Sequence, residues 1–208
     1  MKLIGMLDSP YVRRVAISLQ RMGIAHGHES VSVFRHFEAF SAINPLVKAP
    51  TLICDDGGIL MDSQLILDYA EALVTPEQRL VPATPEARLA VLRLTGIALV
   101  VCEKAVQRYY ELQLRPQDKQ HQPWIERVTG QLTRALDMLE PAAARVAGSS
   151  DQWLTGPALT QADITTAVAW RFARHIGPDA FDPTPYPALA ALSARAEALP
   201  EFLSTPLE

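Results

Sequence analysis

Residues 44–71, NPLVKAPTLICDDGGILMDSQLILDYAE, predict a strand, a tight turn, a second strand and a helix in one short segment. Residues 51–54 form an apolar run with β-branched members, which is typical of a strand. The Asp-Asp-Gly-Gly sequence at residues 55–58 tolerates the positive φ angles of a hairpin turn, so the next apolar residues return antiparallel. From Asp62 onward, apolar residues recur every three or four positions, which predicts a helix that Asp62 or Ser63 can cap.

Two features of this segment suit a ligand that carries both an ammonium and a carboxylate. A cis bond between Ala49 and Pro50 would turn the backbone N–H and C=O of Ala49 outward, where an extended ligand can pair with them. Asp62 and Ser63 at a helix start combine unpaired N–H groups with a hydroxyl and a carboxylate. The N–H and hydroxyl groups suit a ligand carboxylate, and Asp62 suits an ammonium. The structural alternative is a hairpin and a helix that only build the core.

Composition and charge exclude several classes of protein. Of the 208 residues, 49% are hydrophobic and 20% are charged, which is a globular composition. The net charge of −4 gives no overall attraction to nucleic acid or to an anionic membrane, so we expect neither as a partner. Histidine spacing does not match a zinc site, and no glycine-rich phosphate loop is present, so we expect no metal and no nucleotide.

The cysteines and the N-terminus favour a cytoplasmic protein. Cys54 and Cys102 lie far apart in apolar runs, which is typical of reduced, buried thiols. The apolar run at residues 1–7 is too short for the core of a signal peptide or for a membrane span.

The first part of the chain predicts a mixed sheet with helices on its faces. Residues 2–7 read as a strand, and Ser9-Pro10 then starts a helix, with Ser9 at the N-cap and Pro10 at the first helical position. A second strand is expected at residues 29–33, followed by a helix or loop at residues 34–43. With the hairpin and the helix after it, the order is βαβαββα.

Three prolines and no periodic apolar pattern at residues 75–85 mark a domain boundary. Every element after this boundary is predicted to be helical. We therefore expect a mixed α/β domain at residues 1–80 and an all-α domain at residues 85–208.

A capping box is the strongest local signal in the second domain. Thr160 at the N-cap and Asp163 three residues later predict that a helix begins there. This helix is expected to end at Gly177-Pro178.

Both halves of the chain resemble the glutathione S-transferase family, in particular its bacterial, serine-type members. The usual pattern there is Asn-Pro-x-Gly-Lys-Val-Pro-x-Leu, then Glu-Ser or Asp-Ser opening a helix; this chain has Val47 for the glycine and Ala49 for the valine. The resemblance implies a thioredoxin-like first domain, glutathione as co-substrate and a homodimer. It also implies that Ala49 pairs with the cysteinyl backbone of glutathione before a cis Pro50, while Asp62 and Ser63 hold the γ-glutamyl end.

Ser9 occupies the place where this family keeps its thiol-activating Ser, Tyr or Cys, after the first strand. The resemblance therefore implies that Ser9 stabilises the glutathione thiolate. The structural alternative is that Ser9 only caps the first helix, and Tyr11 is the nearest rival hydroxyl. Between Leu7 and Tyr11 there is no cysteine, which disfavours the glutaredoxin-like mechanism of family members that use their own thiol.

Further residues are candidates for contacts with glutathione or with the electrophile. Lys48 is the one we expect to meet the glycyl carboxylate of glutathione, and Arg35 and His36 are candidates for the same end. The Arg-Tyr-Tyr sequence at residues 108–110 is a candidate lining for the electrophile pocket, although aromatic residues at helical spacing more often build a core or a dimer contact.

The function expected from this resemblance is that of a glutathione S-transferase. Such an enzyme activates the glutathione thiol as a thiolate, which attacks a small hydrophobic electrophile. Two alternatives stay open: a glutathione-binding or stress-regulatory protein of the same fold without catalysis, and a glutathione-dependent isomerase or dehalogenase.

Overall fold

The computed structural model describes residues 1–177 and 182–207, which divide into two compact units. The N-terminal unit comprises Met1–Pro82 together with Ala198–Glu208, and the helical unit comprises Ala83–Glu197. The last residues of the chain therefore join the N-terminal unit. The sequence analysis had assigned them to the helical domain.

The N-terminal unit is built on a mixed four-stranded sheet in the order β2-β1-β3-β4. Its strands are β1 (Lys2–Ile4), β2 (Gly27–Glu29), β3 (Thr51–Ile53) and β4 (Ile59–Met61). Strand β1 runs parallel to β2 and antiparallel to β3, and β3 runs antiparallel to β4. The antiparallel pairing of β3 and β4 is the hairpin predicted from the sequence.

Three helices complete the predicted βαβαββα order of a thioredoxin-like domain. They are α1 (Pro10–Arg21), α2 (Phe37–Ile43) and α3 (Ser63–Ala72). Helix α1 begins at Pro10 with Ser9 as its N-cap, as the sequence predicts. Helices α1 and α3 pack against each other, and Val12, Val15 and Ile66 on these helices are fully buried.

Strand β2 lies earlier in the chain than the sequence indicated. It covers Gly27–Glu29 instead of residues 29–33, because its register is set by β1: Lys2 lies opposite Gly27, and Ile4 lies opposite Glu29. All three residues of this edge strand are exposed, so they show no alternation of apolar and polar side chains. The side chains of Gly27–Glu29 therefore contain no pattern from which this strand could be located.

The C-terminal residues join the N-terminal unit through contacts with α1. A short helix, α8 (Pro200–Leu203), brings the ring of Phe202 to 5.7 Å from the buried guanidinium of Arg13. Arg13 Nε also donates a hydrogen bond to the carbonyl oxygen of Thr205 at 2.8 Å. Arg21 forms an ion pair with Glu201 at 3.3 Å. These contacts join two parts of the sequence that no local pattern connects.

In the described residues of the helical unit, the α-helices are α4 (Pro85–Gln113), α5 (Gln122–Ala144), α6 (Gln161–Ile176) and α7 (Pro187–Glu197). Helix α4 packs on α5 and α6, and α7 packs on α5 and α6. Within residues 1–177 and 182–207, none of the helices combines the length and the apolarity that a membrane span needs.

The start of α6 is the predicted capping box. The side chain of Asp163 is fully buried, and its carboxylate accepts hydrogen bonds from the backbone N–H groups of Leu154 and Thr160, both at 2.8 Å. The Thr160 hydroxyl donates a third hydrogen bond at 2.7 Å. Burial raises the pKa of the Asp163 carboxyl, and the hydrogen bonds oppose that increase. The helix ends at Ile176, and Pro178, part of the predicted stop, lies outside the described residues.

Replacing Asp163 by alanine is expected to lower the free energy of unfolding by about 3 kcal/mol, because two buried N–H groups lose their acceptor. Urea denaturation at neutral pH measures this loss. Asp151→Ala is the control, since its exposed carboxylate accepts a hydrogen bond from the Ser149 hydroxyl and is expected to contribute much less. Equal losses in the two variants would contradict this role of the buried carboxylate.

Candidate functional site

Strand register brings three separate segments to one end of the sheet. Thr51, the first residue of β3, lies opposite Ile4, the last residue of β1. On its other side, Thr51 lies opposite Met61, the last residue of β4. Three segments therefore meet at this end of the sheet: the one after β1, the one before β3 and the one after β4. These three segments contain Ser9, the Ala49–Pro50 bond and the Asp62-Ser63 pair.

Gly5 allows two of these segments to approach closely. Its φ angle is +136°, and a Cβ atom at this position would lie 2.7 Å from Cγ2 of Val12 and 3.1 Å from Cβ of Ala49. The backbone that follows β1 is therefore packed against both α1 and the loop before β3. The sequence analysis missed this role. The only sequence signal is a glycine directly after an apolar strand.

Ser9 lies at the N-terminus of α1, half-buried, with extended backbone angles. Its hydroxyl oxygen accepts a hydrogen bond from the Val12 N–H at 3.5 Å, which is long for a capping bond. The Ser9 N–H donates to the carbonyl oxygen of Met6 at 3.2 Å and closes the turn after β1. Ser9 is thus a weak cap, and its hydroxyl lies beside the N–H groups of the first helical turn.

The peptide bond between Ala49 and Pro50 is cis, as the resemblance implied. Pro50 is buried, Ala49 is half-buried, and the Lys48 side chain is exposed. Val47 takes the place of the usual glycine and adopts a φ of 49°, which is costly for a β-branched residue. Its side chain packs against the apolar cluster of Ile4, Val31 and Phe40, which offsets this cost. The loop therefore keeps its left-handed residue without glycine.

Asn44 holds this loop in place, a role that the sequence analysis did not assign. The side chain is fully buried; its Nδ2 donates to Oγ1 of Thr51 at 2.9 Å, and its Oδ1 accepts from the N–H of Leu46 at 3.0 Å. The Thr51 hydroxyl in turn donates to the carbonyl oxygen of Lys48 at 2.8 Å. Asn44 opens the segment quoted first, so its position before Pro45 was the available signal.

Asp62 and Ser63 lie at the start of α3, and the choice between them as the cap is now settled. Asp62 is the N-cap: it has a φ of 71°, and its carboxylate accepts from the N–H of Gln64 at 2.9 Å. Ser63 is buried, and its hydroxyl oxygen accepts a hydrogen bond from Nη1 of Arg14 at 2.9 Å. No sequence pattern predicts this contact, because Arg14 lies 49 positions away on α1.

The other candidates in the N-terminal unit are Tyr11, Arg35 and His36. Tyr11 is half-buried in the first turn of α1. Arg35 is exposed and donates a hydrogen bond to Sδ of Met6, so it lies near the turn that contains Ser9. The ring Nδ1 of His36 accepts from the N–H of Ser32.

The Arg-Tyr-Tyr candidates lie on α4 in the helical unit. Burial lowers the pKa of the Arg108 guanidinium. Tyr109 and Tyr110 are exposed, and their ring centroids lie 6.3 Å apart. Among residues 1–177 and 182–207, no group of three or more His, Cys, Asp or Glu side chains is placed to hold a metal ion.

Comparison with known proteins identifies the family. Residues 3–78 match the N-terminal domain of glutathione S-transferases, and residues 122–195 match their C-terminal domain. The chain belongs to the glutathione S-transferase family. A curated relative in Escherichia coli K12, the uncharacterized glutathione S-transferase-like protein YibF, is 29% identical over 140 residues. That alignment covers 67% of this chain and 68% of the relative.

Solved structures of the family share the fold of this chain. A family member from Pseudomonas fluorescens with bound glutathione is 30% identical, with a TM-score of 0.85, and the match covers 100% of this chain and 98% of that one. A glutathione S-transferase from Methylobacterium radiotolerans in complex with glutathione sulfonate is 29% identical, with a TM-score of 0.86. The second match covers 98% of this chain and 93% of that one.

Replacing Gly5 by alanine is expected to lower the free energy of unfolding by about 3 kcal/mol, because backbone strain adds to a clash with Val12 and Ala49. Gly57→Ala is the matched control: its φ of +83° is also left-handed, but a Cβ atom there would meet nothing within 4 Å. We expect this control to lose about 1 kcal/mol from strain alone. Urea denaturation of both variants measures the difference, and equal losses would show that the close packing around Gly5 contributes nothing.

Proposed function

We propose that this protein is a glutathione transferase in which Ser9 stabilises the thiolate of bound glutathione. The observation that carries the proposal is the meeting of three segments at one end of the sheet: the Ser9 turn, the cis Ala49–Pro50 bond and the start of α3. These segments supply a hydroxyl, the backbone polar groups of Ala49 and a polar helix N-terminus, which match the thiol, the backbone and the charged end of a glutathione molecule.

Each binding residue has a role in this proposal. The backbone of Ala49 pairs with the cysteinyl residue, because the cis bond to Pro50 turns its polar groups outward. Asp62 accepts from the ammonium of the γ-glutamyl residue, and Ser63 donates to its carboxylate. The exposed Lys48 side chain meets the glycyl carboxylate.

The chemical step depends on the ionisation of the thiol. A free thiol with a pKa of about 8.5 is only roughly 3% ionised at pH 7, and the thiolate is the nucleophile. Lowering that pKa by about two units requires roughly 2.7 kcal/mol of preferential stabilisation of the anion. The Ser9 hydroxyl, which makes only a long capping bond, can donate to the sulfur, and the positive end of the α1 dipole contributes further.

The thiolate then attacks a small hydrophobic electrophile, forms a carbon–sulfur bond and displaces the leaving group or adds to the double bond. We assign this conjugation to detoxification in the cytoplasm. In the part of the chain that the structure describes, neither Cys54 nor Cys102 forms a disulfide, and this supports a reducing compartment.

Replacing Ser9 by alanine is expected to leave glutathione bound within about threefold of the wild-type affinity, since most of the contacts lie elsewhere. The pKa of the bound thiol is expected to rise by at least about one unit, because one hydrogen bond to the anion is lost. Calorimetric titration measures the affinity, and ultraviolet absorbance of the thiolate against pH measures the pKa.

Tyr11→Phe is the matched control, since it removes the rival hydroxyl from the same helical turn. We expect it to leave the thiol pKa unchanged. If Tyr11→Phe raised the pKa of the bound thiol and Ser9→Ala did not, the stabilisation of the thiolate would be assigned to Tyr11. Failure of the wild-type protein to bind glutathione at millimolar concentration would reject the proposed function.

We further propose that the transferase acts as a homodimer, and each unit has an exposed apolar helix face that supports this. Leu65 and Tyr69 on α3 and Leu73 at its C-cap lie four residues apart and are 57%, 40% and 47% exposed. Leu89 and Leu92 on α4 are 48% and 38% exposed. Residues at this spacing share one face of a helix, and such faces normally pack against another surface. A second copy of the chain is the occupant we propose for both faces.

A charge on either face is expected to convert the dimer into a monomer without unfolding it. We expect Leu65→Arg and Leu89→Arg each to have half the mass of the wild type, because an arginine would be buried unpaired in the interface. Met138→Arg is the control, since Met138 is also an exposed apolar residue but lies on α5. Light scattering coupled to size exclusion measures the mass, and a wild-type mass of 22.9 kDa would show that no stable dimer forms.

A further inference from the structure

Arg14 is a permanently charged side chain that is fully buried beneath the start of α3. It lies on α1, and its relative exposure is 0%. Its Nη1 donates to the Ser63 hydroxyl at 2.9 Å, and its Nη2 donates to Oε1 of Gln64 at 3.4 Å. A buried charge is tolerated only where polar groups satisfy it, and these two hydrogen bonds fix the guanidinium beneath the start of α3.

The hydrogen bond from Arg14 determines what the Ser63 hydroxyl can do. A serine hydroxyl has one proton to donate and two lone pairs that accept. Arginine can only donate, so the Ser63 oxygen must accept from it, and the hydroxyl proton points away from the guanidinium. The hydroxyl is thereby oriented as a donor. A neighbouring positive charge also strengthens that donor, since hydrogen bonds in a chain polarise one another.

One further feature at this position favours a negative charge. The N-terminus of α3 carries the positive end of the helix dipole, which attracts anions within the first turn. The Asp62 carboxylate accepts from the N–H of Gln64, and in the proposed site it faces the ammonium of the same ligand. The Arg14 guanidinium, the Ser63 hydroxyl and the N-terminus of α3 therefore all favour an anion at the start of this helix. A carboxylate is the ligand group that suits all three.

We propose that Arg14 is a positioning residue for the α-carboxylate of the γ-glutamyl group: it orients the Ser63 hydroxyl as a donor and adds positive charge behind it. This inference rests on the proposed binding of glutathione. Arg14 acts through Ser63, so it governs affinity for the carboxylate and leaves the thiol chemistry to Ser9. Its loss raises KM and leaves kcat and the pKa of the bound thiol unchanged.

The test compares glutathione with an analogue that lacks the carboxylate concerned. In 4-aminobutyryl-cysteinyl-glycine, the amine, the thiol and the glycyl carboxylate are kept, and the α-carboxylate of the glutamyl group is absent. Calorimetric titration of both ligands into wild type and Arg14→Met is expected to show about 10- to 100-fold weaker binding of glutathione in the variant. The analogue is expected to bind both proteins within about twofold.

Arg13→Met is the matched control, because Arg13 is the adjacent buried arginine on α1. Its contacts include the C-terminal segment, through Thr205 and Phe202. We expect Arg13→Met to lower stability while the ratio of the two affinities stays at its wild-type value. Should Arg14→Met fail to fold, Arg14→Lys is the second variant, because it keeps the charge without the planar guanidinium. We expect it to weaken the binding of glutathione about 3- to 10-fold and to leave the binding of the analogue nearly unchanged.

A double-mutant cycle with Ser63→Ala separates positioning from a purely structural role. If Arg14 acts through Ser63, Arg14→Met weakens glutathione binding far less in the Ser63→Ala background than in the wild type. Equal weakening of both ligands by Arg14→Met, or the same factor in both backgrounds, would overturn the inference and leave the proposed function standing. Failure of wild type to bind glutathione would overturn both.

Discussion

Thr51 pairs with Ile4 on one side and with Met61 on the other, and the candidate site depends on this double pairing. Because β3 is antiparallel to both neighbours, the residue that begins it lies beside the residues that end them. Three polar segments distant in the sequence are thereby brought to one end of the sheet. A register slip of one residue would turn every side chain of β3 to the opposite face and separate these segments.

Helix α1 connects this end of the sheet to two other parts of the N-terminal unit. Arg13 and Arg14 are adjacent, and successive residues of a helix point about 100° apart, so the two guanidiniums reach different neighbours. Arg13 contacts the C-terminal residues, and Arg14 contacts the start of α3. Both are buried, which makes these contacts costly to break, because a buried charge would lose hydrogen-bond partners. The helix that carries Ser9 is therefore held from two directions.

The loop before β3 shows how one fold tolerates a departure from the family pattern. The residue at position 47 is left-handed in this chain, a conformation that glycine adopts freely. Val47 adopts it with a φ of 49°, and its side chain packs against Ile4, Val31 and Phe40. The packing of the Val47 side chain thus offsets a backbone cost that glycine would not have. Asn44 then fixes the rest of the loop through its hydrogen bonds to Thr51 and Leu46.

The sequence by itself determined the order of the elements, the hairpin and the helix starts at Ser9 and Thr160, because caps and turns are local interactions whose partners lie within a few residues. It left the cap of α3 open between Asp62 and Ser63, and the structure decided for Asp62. Tertiary structure alone decided the position of β2, since an exposed edge strand of three residues has no periodic pattern. It also decided the partners of Arg14 and Arg13, which lie 49 and 192 positions away. A buried charged side chain forms hydrogen bonds with polar groups that lie near it in the folded chain. No local sequence pattern predicts which residues these are.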